Sequence, residues 1–175
     1  MNRLTWWILA AALVLPGCKH PEQKQQSEIP ESGIPRMAST IKTNDGHTAG
    51  QLNSGFYGIE NGAWRWTGKQ FAMTLGVPPG AAQKGGLLQL KLSVPQVSID
   101  KLQSLTLSGT ADSSPLAPET YSKAGQYTYE REVPASALAG DSVKVSFQLD
   151  KAMAPAGGDV RELGIIVSGA SLLAK

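Results

Sequence analysis

The chain has 175 residues, and its 16 Lys and Arg nearly balance 14 Asp and Glu. That length holds one ordinary domain and some extended chain, because domains cluster at roughly 100 to 150 residues. No basic stripe argues for a nucleic-acid partner, and a single cysteine leaves no internal disulfide and no CxxC metal or redox site.

The first segment has the pattern of a targeting sequence. Arg3 supplies a positive end, Trp6 to Leu15 form an apolar run, and small Gly17 stands just before Cys18. The run is well short of the ~20 residues that a membrane-spanning helix needs, which points to a secretory signal rather than an anchor helix. The block Leu15-Pro16-Gly17-Cys18 resembles the lipobox of bacterial lipoproteins, with Pro16 where a small or aliphatic residue is usual. The resemblance implies a signal peptide over residues 1–17, cleavage before Cys18, and lipidation of Cys18 by palmitate-type chains. Each buried methylene adds about 0.8 kcal/mol of membrane affinity, so several chains hold a protein essentially permanently. The partner at this end is then a membrane, reached through the anchor on Cys18. An ordinary secretory signal with an incidental cysteine is the alternative. Lys19 stands where inner-membrane lipoproteins of that kind usually carry aspartate, which suggests the outer membrane of a two-membrane cell, on its extracytoplasmic face.

Residues 18–50 contain Pro21, Pro30 and Pro35 and many Gln, Ser, Thr and Lys, with no sustained period of 2 or 3.6. Such a composition cannot bury enough apolar surface to offset chain entropy, and the expectation is a flexible tether. A random coil of this length would hold a domain roughly 30 Å from a bilayer.

From residue 51 to 175 the texture changes. Every aromatic residue beyond the signal lies between Phe56 and Phe147, and apolar residues alternate with polar ones. The alternation is clear in QFAMTL (Phe71, Met73, Leu75), LLQLKLSV (Leu88, Leu90, Leu92, Val94), GQYTYEREV (Tyr127, Tyr129, Arg131, Val133) and DSVKVSFQLD (Val143, Val145, Phe147, Leu149). These segments predict half-buried strands. Weaker strand signals lie in GFYGIE, WRWT, KLQSLTLS and LGIIVSGASL, and Ser136 to Ala139 fit one short helical turn. The stretches VPPGAAQKGG, GTADSSPLAPE and DKAMAPAGGD carry turn residues. Eight or nine short strands with one apolar face imply an all-β fold: a single antiparallel β-sandwich, jelly-roll or immunoglobulin-like.

No catalytic constellation emerges. His20 and His47 both fall in the expected tether, which leaves no Ser-His or Cys-His dyad and no zinc cluster in the domain. GxSxG, P-loop, GxGxxG and HExxH motifs are all missing. The enzymatic alternative is a glycoside hydrolase using paired carboxylates among Glu60, Glu119, Glu130, Glu132, Asp159 and Glu162. A calcium site built on Asp150 and Asp159 lacks the spacing of an oxygen-rich loop. No cofactor, metal or catalytic residue is assigned.

Two segments gather candidate binding residues. In GFYGIENGAWRWTG, Trp64 and Trp66 share one strand face and Arg65 takes the other. Exposed beside Tyr57, the indoles would make a platform for stacking sugar rings, with Glu60 or Arg65 as hydrogen-bonding rim. Buried, they would plug the end of the sandwich with their N–H groups bonded to backbone. In GGDVRELGIIVSGASL, Arg161 either clamps an anionic ligand or pairs with Glu60 or Asp159 to fix the start of the last strand. Arg131 shares the parity of Tyr127 and Tyr129, so it either passes the edge of the core or stacks on a tyrosine with its head paired to an acid.

The succession FYxxE (Phe56, Tyr57, Glu60), WRWT, a GxY strand before Val133-Pro134, and VRELGIIV resembles accessory β-sandwich domains of bacterial cell-envelope and glycan-related proteins, akin to carbohydrate-binding or galactose-binding-like modules. The resemblance implies a binding role toward an envelope glycan or protein and transfers no catalytic residue. The expectation is a membrane-anchored envelope lipoprotein presenting a non-catalytic β-sandwich. Glycan recognition by the aromatic platform and a structural role in an envelope assembly are the two alternatives within it.

Overall fold

A computed structural model describes residues 36–175. The expected signal segment, Cys18 and most of the expected tether lie outside these residues. Nine strands, all paired antiparallel, and two short helices follow in order. They are β1 (Thr40–Lys42), β2 (Leu52–Glu60), β3 (Trp64–Gly76), α1 (Ala81–Lys84), β4 (Gly86–Val94), α2 (Gln96–Leu102), β5 (Leu105–Ala111), β6 (Ser114–Tyr121), β7 (Gly125–Val133), β8 (Ser142–Leu149) and β9 (Ile166–Ala174).

Strand neighbours run β6-β5-β8-β3-β9-β4-β7, with β1 beside β9 and β2 beside β3. The 13-residue β3 joins WRWT and QFAMTL into one strand and belongs to both halves of the fold. Its end from Gln70 to Gly76 pairs with β8, and its beginning, at Arg65 and Trp66, pairs with β9. The two halves fold face to face over one apolar cluster. Phe71, Met73 and Leu75, Leu105 and Leu107, and Val145, Phe147 and Leu149 come from one half; Leu88, Leu90 and Leu92, Tyr129, Val167 and Leu172 come from the other. Tyr129 and Phe147, on strands that are not neighbours, meet edge to face with ring centroids 6.1 Å apart. The domain is an antiparallel β-sandwich, as the alternation predicts.

Three features depart from the sequence reading. The tether expected through residue 50 gives way to ordered structure earlier, because Ile41 in β1 is 2 % exposed and β1 extends the edge of β9. Gln51 holds this segment in place, its side chain accepting from Ala38 N–H and donating to the carbonyls of Ala38 and Thr74. His47 accordingly lies in a 3-10 turn over Gly46–Gln51, capped by Asp45, rather than in a free tether. The turn-rich GTADSSPLAPE contains most of β6, whose Pro115 and Pro118 suit a strand at the end of the ladder. KLQSLTLS divides between the end of α2 and the start of β5.

The β2–β3 hairpin turns at Asn61 and Gly62, both with positive φ (49° and 65°), the geometry that lets a tight turn follow the twist of its strands. Asn44 Nδ2 donates to Gly62 O (2.9 Å), which pins the hairpin tip beside the end of β1. That contact positions the site described next.

Candidate functional site

In β4 the residues Leu88, Leu90 and Leu92 face the core, which leaves Gln89, Lys91 and Ser93 on the outer face of the sheet. Partners across a ladder share a face. Ile166 pairs with Trp66 and Ser93, and Ser93 with Gln126; Gly169 pairs with Lys42 and Lys91, and Lys91 with Thr128. The outer face thus carries two adjacent rows of mostly polar side chains spanning the sheet.

The hairpin tip overhangs these rows and shapes two hollows of about 320 Å³ each. Trp64, Ser93, Gln126, Thr128 and Ile166 line the first; Thr40, Lys42, Asn44 and Ser171 line the second. Ala63, Lys91 and Ser168 line both, so the hollows form one groove under the hairpin. A bulge between Lys91 and Leu92, in the ladder with β9, lies in the same place. None of the lining residues is an acid.

The expected aromatic platform does not assemble. Trp66 is 9 % exposed and offers no face to solvent, although its parity matches Trp64. Trp64 is half-buried and lines the groove, and its Nε1–H makes no hydrogen bond to the protein. Tyr57 is occupied elsewhere. Its hydroxyl donates to Glu162 O (2.9 Å), and the Arg161 guanidinium lies 5.3 Å from its ring centroid.

Tyr57, Glu60 and Arg161 come together in a separate knot with Asp159. Arg161 donates from Nη1 to Glu60 Oε1 (2.8 Å), and from Nε and Nη2 to the Asp159 carboxylate (2.9 and 2.8 Å). These bonds hold the Asp159 carboxyl down at about 2 and raise Arg161 above the usual guanidinium range. An arginine forked onto two acids of its own chain is not the free anion clamp of the functional alternative; it braces the chain just before β9. Arg65 is likewise committed, donating from Nε to Thr43 O and from Nη1 to Tyr57 O, both at 2.7 Å. It serves the backbone rather than the rim of a platform.

The remaining acids are dispersed in their contacts. Glu162 Oε1 accepts from Lys69 N–H, Asp150 Oδ1 from Thr106 N–H, and Glu119 pairs with Arg131. Among the described residues no group of three or more His, Cys, Asp or Glu gathers as a metal site.

Sequence reasoning found Trp64 and missed Lys42, Lys91, Ser93, Gln126, Thr128 and Ser168. A signal for five of these, all but Lys42, was present: they are the polar half of the alternations in LLQLKLSV and GQYTYEREV and of the short LGIIVSGASL strand. The alternation says which residues face outward; only the overhanging hairpin says which outward face is concave.

No protein-family profile matches the chain, and no curated protein does. Eleven chains of known structure match. One is a family GH115 4-O-methyl-alpha-glucuronidase with specificity for decorated arabinogalactans: 11% identity, TM-score 0.48, covering 83% of this chain and 19% of that one. Another, from work on CBM4 structure and function, has 14% identity and a TM-score of 0.38, covering 78% of this chain and 85% of its own. This chain therefore spans about a fifth of the glucuronidase's length. At these identities and TM-scores neither likeness identifies a ligand or an activity here.

Proposed function

We propose that the domain is a non-catalytic module that binds a glycan chain in the outer-face groove beneath the β2–β3 hairpin. The observation that carries this reading is the placement of Trp64. A half-buried indole lines a hollow whose other side chains include the hydroxyls of Ser93, Thr128 and Ser168 and the amide of Gln126. Sugar rings have apolar faces and hydroxyl edges, so an aromatic wall with hydroxyl and amide partners suits both. The groove has no carboxylate to act as general acid or nucleophile, which favours binding over hydrolysis.

Leu15-Pro16-Gly17-Cys18 supports a second part of the proposal: acyl chains on Cys18 hold this module at a bacterial envelope membrane. Cys18→Ala should abolish lipidation in a detergent-partition assay while leaving the domain folded; an altered protein that still partitions with lipid would overturn the anchor.

The binding proposal is tested by titrating the intrinsic tryptophan fluorescence with envelope and plant-type polysaccharides. A bound glycan should shift or quench the emission, and Trp64→Ala should weaken binding at least about tenfold, near 1.4 kcal/mol, with circular dichroism unchanged. A folded Trp64→Ala protein with undiminished affinity would move the site elsewhere.

A further inference from the structure

The groove carries a charge pattern that the binding proposal alone does not use. Apart from Tyr127, its only ionisable residues are Lys42 and Lys91. The two lysines lie in one row across the outer face, on strands to either side of β9, because Lys42 and Lys91 both pair with Gly169. Two ladder spacings of ~4.8 Å put their α-carbons roughly 10 Å apart. Gly169 between them has no side chain to form an ion pair with either. Among the described residues neither ammonium makes a salt bridge. Glu130 sits one row from Lys91, opposite Gln89, and accepts from its Nε2 (2.7 Å), while Asp45, whose N–H donates to Lys42 O, turns its carboxylate to His47 N–H (2.9 Å). Elsewhere Arg131 meets Glu119, and Arg161 meets Glu60 and Asp159, each at 2.8 Å.

We infer that the groove selects an acidic polysaccharide, one whose sugar units carry carboxylates, with Lys42 and Lys91 as paired cation contacts and Trp64 as the stacking wall. The inference rests on the proposed glycan-binding role and gives it a ligand class. In a shallow groove each ammonium–carboxylate contact is a charge-assisted hydrogen bond that salt screens in part. A neutral chain of the same backbone can use only the indole and the hydroxyl and amide groups.

The test uses the residues 36–175 domain in the full chain and matched polymers: polygalacturonate, alginate and glucuronoxylan, each beside its carboxyl-reduced, uncharged counterpart. Binding is read by isothermal calorimetry at low and at physiological salt. For at least one pair the acidic polymer should bind about tenfold or more tightly than its reduced form, and the advantage should shrink as salt rises. Lys42→Gln with Lys91→Gln should remove that advantage, so that the acidic polymer binds no more tightly than its reduced form. Lys144→Gln, on the outer face of the opposite half, should change nothing. Equal affinity for the acidic and reduced polymers, or an advantage that survives the double substitution, overturns the inference while leaving glycan binding standing. Failure of every polymer to bind overturns both.

Discussion

Arg131 of β7 lies over the Tyr129 ring, 4.2 Å from its centroid, and donates to Glu119 of β6 at 2.8 Å. The same guanidinium reaches the carbonyls of Ala117 (2.6 Å) and Pro118 (3.1 Å), and Tyr129 Oη also donates to Ala117 O. β6 and β7 are the two ends of the main strand order and form no ladder with each other. Arg131 and Tyr129 therefore close the side of the sandwich that β3 does not.

Arg131→Ala should accordingly destabilise the domain by about 2 to 4 kcal/mol, since hydrogen bonds to charged groups contribute roughly 1.5 to 3 kcal/mol and several go at once. Arg131→Lys should recover only part, because an ammonium has no planar fork to reach Glu119 and two carbonyls together. Urea denaturation of the three proteins measures both.

The Arg161 knot predicts a pH dependence. Asp159 folds with its carboxyl at about 2, below its ordinary 3.8, owing first to its side-chain hydrogen bonds from Arg161. Its contribution to stability is fully present above the ordinary value and is lost as pH falls from there through about 2. Melting temperature recorded across that window should fall less for Asp159→Asn than for the natural protein. The substitution weakens one side of the fork and leaves Glu60 in place.

Gly55 predicts a backbone effect. Its φ is +75°, and a β-carbon there would collide with Gln70 O of β3. Gly55→Ala should cost about 2 kcal/mol or more and disturb the register of β2 on β3, seen as a lowered denaturation midpoint and as lost amide protection at Phe56.

The two tryptophans should behave oppositely. Trp66 is buried, so Trp66→Ala should destabilise by about 3 to 5 kcal/mol, whereas Trp64→Ala removes packing from a half-exposed residue and no hydrogen bond within the protein. Parallel thermal denaturation of the two variants separates these roles.

The core was legible because it is written in local alternation. Leu88, Leu90 and Leu92, or Val145, Phe147 and Leu149, need only a period of two to be assigned inward. Arg131 was half legible: its parity marked it as anomalous and offered stacking on a tyrosine with an acid at its head, which is what the structure shows. What parity could not supply was the third dimension. Trp64 and Trp66 have the same parity and different exposure, and for Arg161 the sequence offered both a ligand clamp and pairing with Glu60 or Asp159, between which only the structure decides, with both acids paired. β1 was missed because three residues paired to β9 across 127 to 131 positions leave no local period, and β6 because its two prolines have the composition of a loop.

Amide chemical-shift changes on the labelled domain, followed during titration with a bound polysaccharide, locate the binding face. Binding in the groove under the hairpin should cluster the perturbations at Trp64, Lys91, Ser93, Gln126, Thr128 and Ser168. Perturbations confined to the opposite face, around Ser108, Lys144 and Gln148, or to the Arg161 knot, would contradict it.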